Sequence, residues 1–121
     1  MEHQVTRERA LRPEDLSRLV VERINAGDID GLIELYEPNA VLALPNGVVA
    51  TGLAEIREAY TRLVADRPVF QLGPQAPALR AGDLAMTSSR LPGGPGATAE
   101  VARRQPDGSW RWILDQPNIL G

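Results

Sequence analysis

The sequence contains no cysteine and no lysine, and it has a single histidine. Without cysteine, the chain cannot form a disulfide, a thiolate zinc site or a thiol nucleophile. All 13 basic residues are arginine, which also excludes a lysine Schiff base. The histidine is His3, in a predicted N-terminal tail, so a Ser-His-Asp triad and a multi-histidine metal site are not expected. Catalysis is left to carboxylates, tyrosine, hydroxyls, arginine, amides and water, and we expect no metal and no cofactor.

Long apolar runs and a strong charge of either sign are also absent. The formal net charge is −3, and the densest basic cluster is Arg103 with Arg104, so nucleic acid is not an expected partner. Residues 1–12 are polar and charged, without the apolar centre of a signal peptide, and no run is long enough to span a bilayer. This composition predicts a cytoplasmic protein without a membrane partner.

The length predicts a single domain with one pocket. At 121 residues the chain is long enough for one hydrophobic core and too short for two. We assign residues 13–118 to this domain and residues 1–12 to the tail. The Pro/Gly-rich segment 92–96 is predicted to be a loop tip at the mouth of the pocket.

Helix signals occupy the first half of the chain. A first helix is predicted to begin at Pro13 and to end at Gly27, which can adopt the left-handed conformation of a helix end. Asp28 can cap a second helix, whose apolar spacing extends over residues 29–36. Thr51 can cap a third helix, which is predicted to stop before the sequence Asp-Arg-Pro.

Strand signals dominate the second half. Two short strands flank an Asn-Gly turn, and two longer ones flank a Pro-Asp-Gly turn near the C-terminus. Residues 69–80 are predicted to form a bulged or edge strand, because Pro74 and Pro77 cannot donate to a ladder. The other predicted strands are 40–44, 48–50, 83–91, 97–105 and 109–116.

The order of these signals resembles the NTF2-like superfamily, in particular its branch of SnoaL-like, DUF4440 and ketosteroid isomerase-like proteins. The likeness rests on NAGD at 25–28, the P-x-G turn at 45–47, Gly-Asp at 82–83 and RRQPDGSW at 103–110. It implies an α+β cone, in which about three N-terminal helices pack on a strongly curved, mixed and largely antiparallel sheet. Isomerases, cyclases, dehydratases and epoxide hydrolases share this fold, so the likeness predicts the architecture better than the reaction.

The register of the closing hairpin decides which side chains share a face. A bulged turn at residues 106–108 sets Glu100 opposite Leu114 and near Trp112, on the inner side of the sheet. A two-residue loop would instead set Glu100 opposite Asp115 and create a pair of carboxylates. We take the bulged turn, and therefore the pairing with Leu114, as the expected register.

Ketosteroid isomerases move a proton with a carboxylate near the end of the first strand. A tyrosine on the first helix and an acid on a later strand stabilise the enolate oxygen. The resemblance maps these positions to Leu44, Val20 and Glu100, so two of the three groups are missing. It therefore argues against steroid isomerisation by this route and leaves Glu100 as the candidate acid or base.

Glu100 has two possible roles. Burial in an apolar cavity would raise its pKa, so that the carboxyl could donate a proton near neutral pH. The alternative is a structural ion pair with Arg90 or Arg104. Asp115 is a weaker catalytic candidate, whose alternative is a surface ion pair with one of two neighbouring arginines. Those arginines are Arg103 and Arg111.

Further candidates would contact a ligand without reacting with it. Two tyrosines lie at apolar helix positions, where core packing is the alternative role, and one tryptophan and three aliphatic residues share their surroundings. These residues are Tyr36, Tyr60, Trp112, Leu44, Val20 and Leu114. A strand with Thr87, Ser88 and Ser89 offers hydroxyls that either bind a ligand or remain simple ladder residues.

Two function classes compete, and an assembly role stands beside them. The leading hypothesis is a small-molecule enzyme that uses acid/base chemistry on an apolar, for example cyclic, substrate in isomerisation, cyclisation or hydration. The alternative is a binding protein that holds an apolar metabolite in the same pocket without reaction. The resemblance also implies a homodimer through the outer face of the sheet, at Val101, Arg103 and Ile113.

Overall fold

The computed structural model describes residues 6–119, in which three helices pack against one six-stranded sheet. The helices are α1 (Asp15–Ala26), α2 (Ile29–Ile33) and α3 (Gly52–Ala65). The strands are β1 (Tyr36–Ala43), β2 (Val49–Thr51), β3 (Leu79–Ala81), β4 (Leu84–Thr87), β5 (Ala99–Arg104) and β6 (Trp110–Gln116). Their order is β2-β1-β6-β5-β4-β3, with β1 and β6 parallel and every other neighbour antiparallel. The predicted α+β class, with its mixed and largely antiparallel sheet, is confirmed.

The boundary between α1 and α2 follows the local sequence signals. Gly27 adopts a left-handed conformation with φ of 69°, and its N–H bonds back to carbonyls of the last turn of α1. The Asp28 side chain then accepts a hydrogen bond of 3.0 Å from the Gly31 N–H and caps α2. Both roles were predicted, and together they turn the chain between the first two helices.

The start of α3 uses a different capping contact from the predicted one. The Thr51 side chain makes no capping hydrogen bond. Instead, the Thr51 N–H donates to Glu55 Oε1 at 2.8 Å, so the acidic residue of the first turn reaches back to the helix start. Ile56 and Tyr60 lie on the buried face of this helix and contact the core.

Tyr36 lies on a strand, so its placement in the second helix was wrong. That helix ends at Ile33, and Tyr36 begins β1, where it pairs with Trp112 of the parallel strand β6. The apolar spacing that suggested a longer helix also fits the observed structure, in which Tyr36 is the buried first residue of a strand. Pro38, which has no N–H to give, follows two residues later and favours this early end.

The segment between α3 and β4 contains little regular structure. Only Leu79–Ala81 forms a strand, at the edge of the sheet as predicted for this region, while Gln75 makes a single bridge to Ser89. Gly73 packs against the backbone, because a Cβ at this position would lie 1.8 Å from the Arg90 carbonyl oxygen. This close approach fixes the segment beside the end of β4.

The core lies between the helices and the inner face of the sheet. It includes Leu16, Leu32, Tyr36, Ile56 and Trp112, all of them buried. The N-terminal segment, predicted as a tail, is attached from residue 7 onward. Arg7 forms an ion pair with Asp28, the cap of α2, and the Ala10 carbonyl accepts a backbone bond of 2.8 Å from Trp110 of β6. His3 lies outside the described residues.

Candidate functional site

A β-bulge in the closing hairpin creates the candidate site. Near the turn the register is the predicted one, with Ala102 opposite Trp112. The register then shifts between Val101 and Ala102, because β6 contains one extra residue, Ile113. Glu100 consequently stands opposite Asp115, and its predicted pairing with Leu114 is wrong. The carboxyl pair therefore arises from a bulge within the strand, not from a shorter turn.

The bulge also decides which β6 side chains face inward. Trp112 and Asp115 are three residues apart yet both are buried, an arrangement that a regular strand does not allow. Leu114, expected to contact a ligand, is 50% exposed and does not line the cavity. The expectation that Leu114 contacts a ligand is therefore wrong.

A cavity of about 460 Å³ lies between α1, α3, the segment before β3, the segment that follows β4, and strands β5 and β6. Its walls are mainly apolar, and the two carboxyl groups of Glu100 and Asp115 interrupt them. The lining residues include Ser17, Val20, Tyr60, Phe70, Leu72, Ser89, Arg90, Thr98, Glu100, Trp112 and Asp115. A volume of this size is typical of sites for small organic ligands.

Asp115 ends a chain of buried hydroxyl groups. The Tyr36 hydroxyl donates a hydrogen bond to Asp115 Oδ2. Its oxygen lies 2.6 Å from the Tyr60 hydroxyl, which is therefore the donor in the second bond. Burial raises the pKa of Asp115 to about 7, the bond from Tyr36 opposes this change, and the charge of Glu100 adds to it. Burial and the nearby Asp115 charge raise the pKa of both tyrosines, so they remain protonated donors.

Glu100 has hydroxyl partners instead of an ion pair. Thr87 Oγ1 donates to Glu100 Oε1 at 2.6 Å, and Thr98 makes a second side-chain hydrogen bond. Burial raises the pKa of Glu100, while both hydroxyl donors oppose that change. The alternative of a fixed ion pair is not realised: Arg104 binds Asp83 at 2.7 Å, and Arg90 forms no ion pair with residues 6–119.

Asp115 is not a surface ion-pair partner either. It is 7% exposed, and Arg103 instead forms an ion pair of 3.1 Å with Glu37. The pairing expected with Arg103 or Arg111 is therefore wrong, because the bulge turns Asp115 toward the interior while the arginines remain on the outer side.

The two carboxyl groups form a coupled pair. They occupy facing positions on β5 and β6, and both are buried. Ionisation of one disfavours ionisation of the other, so the second proton leaves the pair less readily than it would leave an isolated carboxyl group. Glu100 receives two hydroxyl bonds and Asp115 receives one, which favours an ionised Glu100 and a protonated Asp115. The arrangement can supply a base and an acid side by side.

The remaining sequence candidates are distributed around this pair. Val20, Tyr60 and Trp112 line the cavity. Tyr36 is fully buried behind Asp115 and does not line it, so it contacts a carboxyl group and not a ligand. Leu44 packs against the core outside the cavity lining, which corrects its assignment as a ligand contact.

One part of the cavity wall was not anticipated. Residues 69–73 contribute Phe70 and Leu72, and Asn25 fixes this segment through two hydrogen bonds of 2.8 and 2.9 Å with the Phe70 backbone. The available signal is an apolar run between Pro68 and Pro74, which cannot enter a central strand and is therefore free to cover a pocket.

Residues 6–119 provide neither a metal-ligand cluster nor a membrane-spanning helix. No group of three or more His, Cys, Asp or Glu side chains has the arrangement of a metal site in this range. Within the same residues, none of the helices combines the length and the apolar character that crossing a membrane requires.

Comparison with solved structures shows the same architecture. A ketosteroid isomerase-like protein from Erwinia carotovora has a TM-score of 0.67 at 22% identity, covering 88% of this chain and 92% of its own. A candidate dehydratase of the NTF2-like family from Streptomyces avermitilis has a TM-score of 0.70 at 17% identity, with 85% and 90% covered. A candidate association domain of calcium/calmodulin-dependent protein kinase type II from Thiobacillus denitrificans has a TM-score of 0.74 at 16% identity, with 91% and 96% covered. At these identities the similarities establish the fold alone.

The sequence itself identifies the family. No curated protein matches the chain significantly, but the model of the SnoaL-like domain matches residues 17–112. This range contains most of α1, all of α2 and α3, strands β1 to β5 and the start of β6. The chain therefore belongs to the SnoaL-like domain family, with the fold of the NTF2-like superfamily.

Proposed function

We propose that the protein is a small-molecule enzyme that moves protons on an apolar substrate by means of Glu100 and Asp115. One observation carries this proposal: two buried carboxyl groups stand opposite each other on the wall of a largely apolar cavity. Burying two acids is unfavourable without ion pairs, and functional sites are where such perturbed groups accumulate. The pair is therefore better explained by chemistry than by stability.

The proposed step is proton transfer next to a carbonyl group. The Glu100 carboxylate removes a proton from the carbon beside the carbonyl, and the electron pair of the C–H bond moves toward the carbonyl oxygen. The protonated Asp115 donates a hydrogen bond or its proton to that oxygen as negative charge develops. Glu100 then delivers its proton to a different carbon of the enolate, the carbonyl forms again, and Asp115 takes back any proton that it gave to the oxygen. This completes an isomerisation and restores both groups to their starting protonation. Cyclisation and hydration use the same acid and base with a different acceptor for the electron pair.

The cavity limits the substrate to a small and mainly apolar molecule. Its volume of about 460 Å³ accommodates a molecule of a few fused rings or an equivalent chain. Val20, Phe70, Leu72 and Trp112 offer apolar and aromatic contacts along the wall. A flat or cyclic substrate would make use of the aromatic surfaces.

Amide variants of the two acids test this proposal. Glu100→Gln and Asp115→Asn keep side-chain size but remove the proton-transfer group. We expect each to lower the rate of α-proton exchange in cyclic ketones at least about 100-fold, the usual contribution of one acid or base. The exchange is followed by NMR in deuterated water, with thermal unfolding as a check of folding.

A matched control is available outside the cavity. Glu37 is also partly buried, but it pairs with Arg103 on the other side of the sheet. Glu37→Gln should therefore keep the exchange rate of the unchanged protein. Full activity in a folded Glu100→Gln variant would rule out the proposed chemistry.

A binding protein without catalysis is the second candidate. The specific observation in its favour is that Val20 lines the cavity where the family resemblance places a tyrosine, so that group is missing. A ligand-bound crystal structure with neither Glu100 nor Asp115 within hydrogen-bond distance of the ligand would favour this role. No turnover in the unchanged protein, or the same turnover in the unchanged protein and in both amide variants, would agree with it.

We also propose a cytoplasmic homodimer that associates through the outer sheet face. This face exposes Leu84, Met86 and Leu114, next to the half-buried Val101 and Ile113. Light scattering should give about twice the chain mass of 13.1 kDa. A monomer at micromolar concentration would contradict the association.

A further inference from the structure

We propose that the ligand carries two acceptor oxygens, one bound by Ser89 and the other by Trp112, on opposite sides of the carboxyl pair. The inference rests on the proposed function in taking this cavity as the substrate site. It adds the chemical class of the ligand, an uncharged apolar molecule with a carbonyl and a second oxygen function.

Ser89 provides the first unpartnered group. Its side chain is 6% exposed and lines the cavity, and its Oγ has no hydrogen-bond partner among residues 6–119. The backbone of Ser89 is fully engaged, because its N–H bonds to Thr98 Oγ1 at 2.9 Å and its carbonyl accepts from the Thr98 N–H at 2.8 Å. The hydroxyl is therefore not needed to complete the ladder.

The neighbouring hydroxyls are all in use. Thr87 and Thr98 bond to Glu100, and Ser88 Oγ donates to the Thr98 carbonyl at 2.7 Å. Within this group of four hydroxyls, all among the described residues, Ser89 alone has none of these bonds. Its free hydroxyl is thus a specific feature of the cavity wall and not a general property of the strand.

Trp112 provides the second unpartnered group. Its side chain is 2% exposed and lines the cavity, while the indole Nε1 has no acceptor among residues 6–119. An indole N–H can only donate, so its partner must be an acceptor atom. Buried polar groups are bonded in the great majority of cases, so an unpartnered donor at a cavity points to a missing acceptor.

The two groups flank the carboxyl pair along the strands. Ser89 lies beside Thr98, two residues before Glu100 on β5, through its backbone bonds. Trp112 lies opposite Ala102, two residues after Glu100. A ligand that bonds to both must therefore extend across the acid pair, with its reacting carbon between its two oxygens.

Three related bicyclic compounds separate these contacts. Tetralin has no oxygen, 2-tetralone has one carbonyl, and 6-hydroxy-2-tetralone adds a hydroxyl at the other end. Calorimetric titration of the full chain should show affinity rising about three- to tenfold with each oxygen, as expected for one hydrogen bond each.

Two variants and one control assign the oxygens. Ser89→Ala and Trp112→Phe should each abolish the rise in affinity that one ligand oxygen gives, and each should leave the affinity for tetralin nearly unchanged. Ser88→Ala is the matched control, because Ser88 does not line the cavity and its hydroxyl is bonded to the backbone. If Trp112→Phe fails to fold, Ser89→Ala still decides the issue.

Equal affinity for all three compounds would overturn the inference, and so would an unchanged oxygen increment in Ser89→Ala. Crystals of the complex in which both groups bond only to water would also overturn it. These binding results are independent of turnover, since they are measured without reaction. If Glu100→Gln and Asp115→Asn both keep full exchange activity while binding still depends on the oxygens of the ligand, the proposed catalysis is rejected and the ligand class is retained.

Discussion

Glu100 of β5 and Asp115 of β6 stand opposite each other directly after the bulge that Ile113 introduces. Both side chains are buried, and separate hydroxyl groups bond to each of them. Their proximity makes the proton affinity of each depend on the charge of the other.

Asp115→Asn should change how stability depends on pH. The folded pKa of Asp115 is about 7, above its ordinary value of 3.8. Its ionisation is therefore disfavoured in the folded state. The contribution of Asp115 to the free energy of unfolding is most favourable below about pH 4, and it is lost as the pH rises toward 7. The difference between the folded and the ordinary pKa corresponds to a loss of about 4 kcal/mol in the free energy of unfolding once the group is fully ionised. Relative to the unchanged protein, the variant should become more stable between pH 4 and pH 8 in urea unfolding. Parallel curves for the two proteins would contradict the assignment.

Tyr36→Phe should raise the pKa of Asp115 further. Its hydroxyl donates to Asp115 and stabilises the ionised carboxylate, an effect that the variant removes. With Asp115 as the acid, the alkaline limb of the pH-rate profile should move up by about one pH unit. Tyr60→Phe keeps the hydrogen bond between Tyr36 and Asp115, so it should move the alkaline limb less. An unshifted limb in Tyr36→Phe would show that Tyr36 is only a packing residue.

Trp112→Ala and Leu114→Ala should differ strongly in stability, although both residues belong to the same strand. Trp112 is 2% exposed in the core, and its truncation should cost about 3–5 kcal/mol. Leu114 is 50% exposed on the outer face, so its truncation should cost less than about 1 kcal/mol. Chemical denaturation measures both values. Similar losses would indicate that β6 has the regular register without the bulge.

Gly73→Ala should displace the segment that covers the cavity. The added methyl would lie 1.8 Å from the Arg90 carbonyl oxygen, and a backbone atom cannot move aside alone. The hydrogen bond of 2.8 Å from the Arg90 N–H to the Pro74 carbonyl should break with it. We expect weaker binding of 2-tetralone by about tenfold or more, because the Phe70 and Leu72 contacts are lost. Gly94→Ala, in open space on the neighbouring loop, should have no such effect.

The helical half of the fold could be predicted because its signals are local. Gly27 and Asp28 determine a helix end and a helix start through their own backbone and side-chain bonds. Tyr36 was misplaced because the spacing of apolar residues fits either a helix or the start of a buried strand. What decides between them is the pairing of Tyr36 with Trp112, which is distant in sequence.

The candidate site could be predicted only in part, since it depends on the register of a ladder. Glu100 was expected inside an apolar hollow, but Asp115 was expected to be a weaker candidate. A bulge at Ile113 leaves no local sequence signal, because it arises where β6 pairs with two strands at once. One extra residue there exchanges Leu114 for Asp115 on the inner face.

The most direct test of the account is an NMR titration of the side-chain carboxyl carbons of Glu100 and Asp115. The account predicts that Asp115 titrates near pH 7, and that its pKa falls in Glu100→Gln because the neighbouring charge is gone. Two carboxyl groups that titrate independently below pH 5, unaffected by each other's replacement, would contradict a shared proton in the cavity.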